Sequence, residues 1–450
     1  MRHEKFHYRT LEDVFEKEKK LGISLPFAKD TTSLSRPLTV GGFTLRNRIG
    51  SAPMEGADSR VDGSPSDFTS RRYTRIAEGG VALIWSEAVS VVEEGRSSNT
   101  QLLITDDNVD DYRRFTDAVR EAGMRRNGFA PYIIMQANHS GRYSNPDGSP
   151  APLIAYRHPW LERFRSADDS CIVSDDYLKR LEERFGEGAR LAKKAGFDAV
   201  DIKSCHGYLF QEVASAFTRP GQYGGSYENR TRLLKNSILA AKAYEDDAFM
   251  VTSRVGIYDG YPEFGGFGQD RKTLEMDLSE PLRLVKDLSD LGLRMVDITM
   301  GNPYATTHVT RPFDMGKYQP DEHPFEGLAR MMNGTAQVKA AVPDLVVFAS
   351  APSYLRQFSD LYAAGAIEEG VCDGMLFGRM QFADPDFANE ILGPDGRIDK
   401  DRVCLTCGKC GDLIRAHKPT GCVIRDGGTF MPFYRQWLEE KRNLPENFRG

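Results

Sequence analysis

The chain has 450 residues, 40% of them hydrophobic and 28% charged, with a formal net charge of −6. That composition belongs to a soluble globular protein with room for a large core, and its acidic balance argues against a general nucleic-acid binder, which needs a basic surface. No apolar run approaches the roughly 20 residues that cross a bilayer, and the charged start MRHEKFHYRTLEDVFEKEKK lacks the apolar core of a secretory signal, so a cytoplasmic location and no membrane contact are expected.

Residues 1–36 read as a helical extension. From about residue 45 to 392, short β-rich apolar runs alternate with longer helical patterns. The candidate strands are RIGSAPM (48–54), VALIWS (81–86), PYIIMQA (131–137), DAVDIK (198–203), FMVTSRV (249–255), MVDITM (295–300), LVVFAS (345–350) and DGMLFG (373–378). Amphipathic stretches such as DYLKRLEERFGEGARLAKKAG separate them, and Ala195-Gly196 and Leu291-Gly292 have the form of helix C-caps that feed the next strand. Nearly all-apolar strands that alternate with helices predict a parallel sheet covered by helices. Eight such units are the number that closes a (β/α)₈ TIM barrel. The expected divisions are the extension 1–36, a barrel over 37–393 and a cysteine-rich tail over 394–450.

Segments 138–174, 256–276 and 301–327 exceed ordinary connection lengths. Each follows a candidate strand, so all three are expected at the C-terminal face of the barrel, where sites are built. Their Tyr143, Trp160, Arg163, Tyr258, Tyr304 and His308 suit a sizeable or anionic small-molecule substrate. The turn-rich segment RPGQYGGSYENR reads as architecture, including Asn229 and Arg230.

Seven cysteines, four of them crowded near the carboxyl end, make a poor disulfide framework and a better metal site. Cys404, Cys407 and Cys410 are each separated by two residues, and Cys422 follows after eleven more. Three thiolates in one short loop plus a distal fourth suit a 4Fe–4S cluster. Zinc and free thiols are the other readings, although structural zinc more often uses two separated C-x₂-C pairs. Cys171, Cys205 and Cys372 are expected in the core, with Cys205 the one placed to face a site.

The motifs NRIGSAPM, SEAVSV…EGR, QANHSGRY, GFDAVDIKSCHGYLFQEV, RPGQYGGSYENRTRLL and DGMLFGRMQFADPDF occur in that order at the predicted strand ends. Over about 390 residues the chain thereby resembles the old yellow enzyme family of FMN oxidoreductases, above all the branch that holds 2,4-dienoyl-CoA reductase and trimethylamine dehydrogenase. The resemblance implies that Gln136 binds the pyrimidine end of FMN, that Arg254 approaches the N1–O2 edge, and that Pro53, Met54 and Ala88 offer backbone groups and packing to the ring. It implies a phosphate site at Gly378 and Arg379. At the seventh strand end the family's glycine-rich turn is replaced by Ser350-Ala351-Pro352-Ser353, whose Ser350 and Ala351 are carried over as N–H donors. Where trimethylamine dehydrogenase tethers its flavin to a cysteine this chain has Glu55, so noncovalent FMN is expected. The cysteine spacing matches the cluster motif of the same branch, whereas no G-x-G-x-x-G follows a strand, so a second dinucleotide domain is not expected.

At the fourth strand end the family commonly holds the substrate carbonyl with a His–His or His–Asn pair and uses a tyrosine as proton donor to the substrate carbon. Here His206 and Tyr208 keep that pattern and Lys203 departs from it. A lysine favours a carboxylate or a developing enolate oxygen and is expected to lower the pKa of Tyr208. The plain alternative is that Lys203 pairs with an acidic neighbour and supports the loop. The implied activity is reduction of an activated C=C bond, with electrons from NAD(P)H, from a separate electron-transfer protein through the cluster, or from the substrate. Alternatives are an amine or C–N bond dehydrogenase and a non-catalytic flavin and cluster electron carrier. Self-association into a homo-oligomer is compatible with each.

Overall fold

The computed structural model of the chain describes residues 4–316 and 318–443. The first three residues of the expected extension, Lys317 in the long loop and the last seven residues of the expected tail lie outside the described residues. The strands, in chain order, are β1 (Leu38–Val40), β2 (Phe43–Leu45), β3 (Ile49–Ser51), β4 (Leu83–Ser90), β5 (Tyr132–Asn138), β6 (Ala199–Ile202), β7 (Met250–Gly256), β8 (Met295–Thr299), β9 (Val346–Ser350) and β10 (Gly374–Phe377). Strands β3 to β10 form a closed barrel in sequential order, all pairs parallel, and β10 closes on β3 with Met375 opposite Ile49 and Phe377 opposite Ser51. Each of the eight expected strands falls on one of these. Their residues are buried on both faces, which is why they read as unbroken apolar runs.

The helices between them are set by local chemistry. Ser174 caps Asp175–Lys194 by accepting from the Tyr177 N–H, and Leu178, Leu181 and Phe185 fall on its buried face. The chain leaves that helix through Ala195 and Gly196, at φ 79, and leaves Ser279–Asp290 through Leu291 and Gly292, at φ 90, as the paired residues predict. Arg230 is architectural: its guanidinium donates to the Ala214 carbonyl at 2.5 Å and to Glu280 at 2.6 Å.

The antiparallel hairpin β1–β2 is an addition to the expected barrel. It turns at Gly41, φ 58, and places Leu38, Val40 and Leu45 against Trp85, Tyr132, Met250, Met295 and Phe348. Tyr132, Met250 and Met295 each begin a strand, so the hairpin closes the amino-terminal end of the barrel with an apolar plug.

The extension forms Leu11–Leu21, started by a Thr10–Asp13 capping box, and then runs along the barrel's outer helix Ser359–Glu368, where the Ala28 N–H donates to the Leu361 carbonyl at 3.0 Å. In the tail, Lys409–Arg415 and Gly427–Asn443 share a small core of Leu413, Val423 and Phe430. Asp426 ties it to the barrel through Arg71 at 2.7 Å and Arg75 at 2.8 Å, and the Thr420 N–H donates to the Gly56 carbonyl at 2.8 Å.

The extension's seat depends on Gly365: a Cβ there would stand 2.4 Å from the Pro26 carbonyl oxygen. Gly365→Ala is therefore expected to cost about 1–3 kcal/mol of stability. Denaturant unfolding measures the loss, and limited proteolysis near residues 25–28 should speed up with it.

Candidate active site

Side chains that end the barrel strands build a polar floor above the apolar plug. The ladders put Ala88, Gln136 and Asp201 in one row and Arg254 beside Asp297. Asp201 accepts from the Trp85 indole at 2.7 Å, from the Gln136 amide at 2.7 Å and from the Arg254 backbone N–H at 2.6 Å. With Gln136 Nε2 so engaged, its Oε1 is the atom available to an outside donor. Arg254 Nε lies 2.7 Å from Asp297, and Nη2 reaches the Ser350 hydroxyl at 3.5 Å. The pair is in ionic contact, but its geometry is too poor for a hydrogen bond. Burial pushes Asp201 up to about 6, partly opposed by its donors, and Asp297 up to about 7, partly opposed by the charge of Arg254.

Around that floor Pro53, Met54, His206, Ala351 and Gly378 are partly exposed, while Ala88, Gln136, Arg254, Ser350 and Arg379 are buried. The sequence-assigned ring residues therefore all lie at the C-terminal mouth. Glu55, beside them, accepts from the Ser97 hydroxyl at 2.5 Å.

Directly after β6 the chain presents Lys203, His206 and Tyr208. His206 at φ 67 and Gly207 at φ 69 are both left-handed, and the two together turn the backbone into the helix Leu209–Ala214. For a histidine that conformation costs about 1–3 kcal/mol. Its Nε2 stands 3.3 Å from the Thr299 hydroxyl, and burial together with the positive charges of Arg254 and Lys203 holds it neutral, well below the usual histidine range. Lys203 is buried and has no carboxylate in ion-pair contact among the described residues. Its ammonium sits over the Tyr208 ring, 4.0 Å from the centroid.

That placement corrects one expectation. Lys203 meets the face of Tyr208 and not its hydroxyl, which instead contacts the Tyr304 hydroxyl at 3.0 Å. Burial, with Tyr304 and Glu55 behind it, pushes the Tyr208 pKa up. Tyr304 in turn stacks on Tyr143 with centroids 3.8 Å apart, and Tyr143 is held by the Asn302 amide at 3.0 Å. Both tyrosines come from the long loops that the sequence placed at this face.

At the β9 and β10 ends, Ala351 takes φ 72, the left-handed conformation for which a glycine is the usual residue. Ser353 Oγ accepts from the Met380 N–H at 3.3 Å and joins the two strand ends. Arg379 donates to the Pro312 carbonyl at 3.1 Å. Arg311 lies nearby, lowered to about 10 by burial and by the charge of Arg379.

Cys404, Cys407, Cys410 and Cys422 line one pocket together with Arg379 and Phe382. Backbone N–H groups already point at two of the sulfurs: Thr406 to Cys404 at 3.4 Å and Arg425 to Cys422 at 3.2 Å. Thr406 at φ 52 and Gly408 at φ 78 wind the loop. Burial pushes Cys404 up to about 12 and raises Cys410 and Cys422. Among the described residues no three side chains converge closely enough to hold a single metal ion. Of the remaining cysteines, Cys205 and Cys372 are buried as expected, but Cys171 is partly exposed on the long loop after β5.

The donor set fits a bound FMN: an amide, a guanidinium and an ammonium face the mouth, and the guanidinium of Arg379 stands at the β10 corner. Four cysteines around one pocket, two of them with a backbone donor to sulfur, likewise fit a thiolate-held cluster. Sequence reasoning missed Asp201, Asp297 and Arg311. A carboxylate inside an apolar strand run, as in DAVDIK and MVDITM, was the available signal for the first two.

Residues 33–302 match the NADH:flavin oxidoreductase / NADH oxidase family. An NADPH dehydrogenase from a Geobacillus species is 31% identical over 275 residues, 60% of this chain and 73% of the relative. A bilirubin reductase from Mediterraneibacter gnavus is 27% identical over 398 residues, which cover 87% of this chain and 56% of that protein. In fold, the chain is similar to a 2-naphthoyl-CoA reductase in complex with 2-naphthoyl-CoA, with a TM-score of 0.72 and 18% identity over 90% of this chain and 58% of the other. The chain thus spans little more than half the length of the last two.

The polar floor is testable through Asp201. Asp201→Ala strands three buried donors and is expected to destabilise the protein by about 3–5 kcal/mol in denaturant unfolding. Because its native pKa of about 6 lies above the unfolded value, its contribution is full at low pH and is lost as pH rises from about 4 through about 6. Asp201→Asn should therefore show a shallower dependence of stability on pH across that window.

Proposed function

The chain belongs to the NADH:flavin oxidoreductase / NADH oxidase family, and on that footing we propose that it is an FMN-dependent ene-reductase whose tail carries a 4Fe–4S cluster. The observation that carries the reading is the array of Lys203, neutral His206 and Tyr208 grouped at the mouth above the Gln136–Asp201–Arg254 floor. When bound, FMN supplies hydride transfer from N5 to an activated C=C bond, and the cluster supplies one-electron transfer.

Gln136 and Arg254 would hold the pyrimidine end of the ring, with Pro53, Met54 and Ala88 packing beside it. The N–H groups of Ser350 and Ala351, together with Gly378 and Arg379, would hold the phosphate. Lys203 and His206 anchor a carbonyl or carboxylate oxygen of the substrate, and the imidazole, being neutral, can donate one hydrogen bond there. Tyr208, protonated at working pH, serves as the acid toward the carbon next to the one reduced, and Tyr304 hands it a replacement proton across the 3.0 Å contact. The lack of a carboxylate partner for Lys203 among the described residues favours an anionic substrate. The likeness to a bilirubin reductase along 87% of this chain supports a sizeable conjugated one, since bilirubin is itself conjugated and bears carboxylates. Likeness to NADPH dehydrogenases supports NAD(P)H as electron donor, and a cysteine pocket near the surface supports a separate electron-transfer protein as another.

Tyr208→Phe tests the acid. In stopped-flow experiments, oxidation of reduced flavin by a substituted enone or enoate should slow by about 10²–10⁴-fold while reduction by NADPH is unchanged. Equal rates for both halves with parent and variant would remove Tyr208 from the mechanism.

Anaerobically prepared protein is expected to contain iron and acid-labile sulfide in equal amounts on Cys404, Cys407, Cys410 and Cys422. Acid precipitation should release FMN into the supernatant, because Glu55 stands where a tether would need a thiol. Stoichiometric zinc without sulfide would refute the cluster, and flavin retained in the pellet would refute noncovalent binding.

A further inference from the structure

Arg311 has no part in the reading above, and its setting is unusual. It follows the short helix Thr307–Thr310 in extended backbone, at φ −151, and carries its guanidinium to the helix that begins beside Cys410. Gly411 makes the room. A Cβ on that residue would stand 3.0 Å from Nη2 and 3.6 Å from Nη1 of Arg311, so the guanidinium packs on bare backbone next to a cluster cysteine. Arg379 reaches the same place from the end of β10, where it lines the cysteine pocket. The charges of the two arginines act on each other, and that of Arg311 on Cys410 and Cys404.

Arg379 is buried and Arg311 half-buried, and among the described residues neither guanidinium has an ion pair with a carboxylate, although the buried Arg72 has Asp58 at 2.6 Å and the buried Arg142 has Glu212 at 2.9 Å. Two cations brought together out of water raise the energy of the fold unless an anion lies between or beside them. The phosphate corner after β10 accounts for Arg379. It does not account for a guanidinium laid against Gly411, on the cysteine loop.

We propose that Arg311 is the counter-cation of the cysteine pocket, a positioning residue that raises the reduction potential of the cluster held there. The inference rests on the reading that the pocket holds a 4Fe–4S cluster. Accepting one electron adds one negative charge to such a cluster and neither makes nor breaks a bond. A fixed positive charge close by stabilises the reduced state more than the oxidised one, and a pocket with little water screens that attraction weakly. With Arg311 in place, the cluster takes an electron more readily.

The test is a redox titration of the holoprotein followed by electron paramagnetic resonance, with iron, sulfide and FMN content measured on each sample. Arg311→Gln is expected to shift the cluster midpoint to a more negative potential, and Arg311→Lys to recover most of that shift, because it restores charge without restoring the fork of hydrogen bonds. Gly411→Ala keeps the charge but pushes the guanidinium away, so it should shift the potential in the same direction. It also serves as the second reading if Arg311→Gln fails to retain iron. A midpoint unchanged in Arg311→Gln, or in Gly411→Ala where the first variant holds no cluster, overturns the proposal. So does a variant that loses affinity for FMN while its cluster potential stays put, which would assign Arg311 to the flavin phosphate instead. A parent protein without iron and sulfide would fail the functional reading itself, an outcome distinct from a parent cluster that is indifferent to Arg311.

Discussion

The carboxylate of Asp201 accepts from an indole on β4, an amide on β5 and a backbone N–H on β7, so four adjacent strands of the barrel meet on one side chain. A carboxylate inside a barrel is costly to desolvate, and only a full set of donors makes it tolerable. The same requirement fixes the rotamers of its partners. Gln136 must spend its N–H on Asp201, which determines the atom it presents to the mouth, and Arg254 is held beside Asp297 on the next strand. The geometry of the upper layer, where the chemistry would occur, is therefore decided one layer below by hydrogen-bond satisfaction.

Above that floor the electrostatics run in one direction. Lys203, Arg254, Arg311 and Arg379 bring positive charge to the C-terminal face, and burial removes the proton that His206 would otherwise carry. The mouth thus offers fixed cations and one neutral donor, an environment suited to electron-rich oxygen and to added electrons. The strained backbone lies here too. His206 and Ala351 are both left-handed without being glycine, and each sits where a strand end must turn sharply to aim its side chain or its N–H.

Much of this could be read from the sequence, for physical reasons. Burial on both faces leaves a strand no polar alternation, so RIGSAPM through DGMLFG stood out as eight short apolar runs, and ladder register then put Gln136 and Arg254 where strand-end positions should be. The spacing of Cys404, Cys407, Cys410 and Cys422 marks them as one group, and all four line one pocket, although among the described residues no three of them converge on a single metal position. Other features needed three dimensions. Asp201 and Asp297 lie inside apolar runs, and what satisfies them comes from neighbouring strands distant in sequence. Arg311 belongs to a loop without periodicity. The hairpin β1–β2 has only three residues in each strand, too few for a period-2 pattern to stand out. The effect of Lys203 on Tyr208 was misjudged because a spacing of five residues does not say whether an ammonium meets the ring or the hydroxyl.

The same hairpin has a consequence for traffic. With Leu38, Val40 and Leu45 packed beneath Trp85 and Phe348, the described residues fill the barrel and close its amino-terminal end, which leaves the C-terminal mouth as the opening. A nicotinamide donor and an oxidising substrate would have to enter by that opening and leave by it, and the stacked Tyr143 and Tyr304 narrow it further. Two planar guests cannot share one ring face, so they must take turns. On the proposed function, such a protein would store reducing equivalents between visits, and its steady-state kinetics with two small molecules would take the substituted-enzyme, or ping-pong, form.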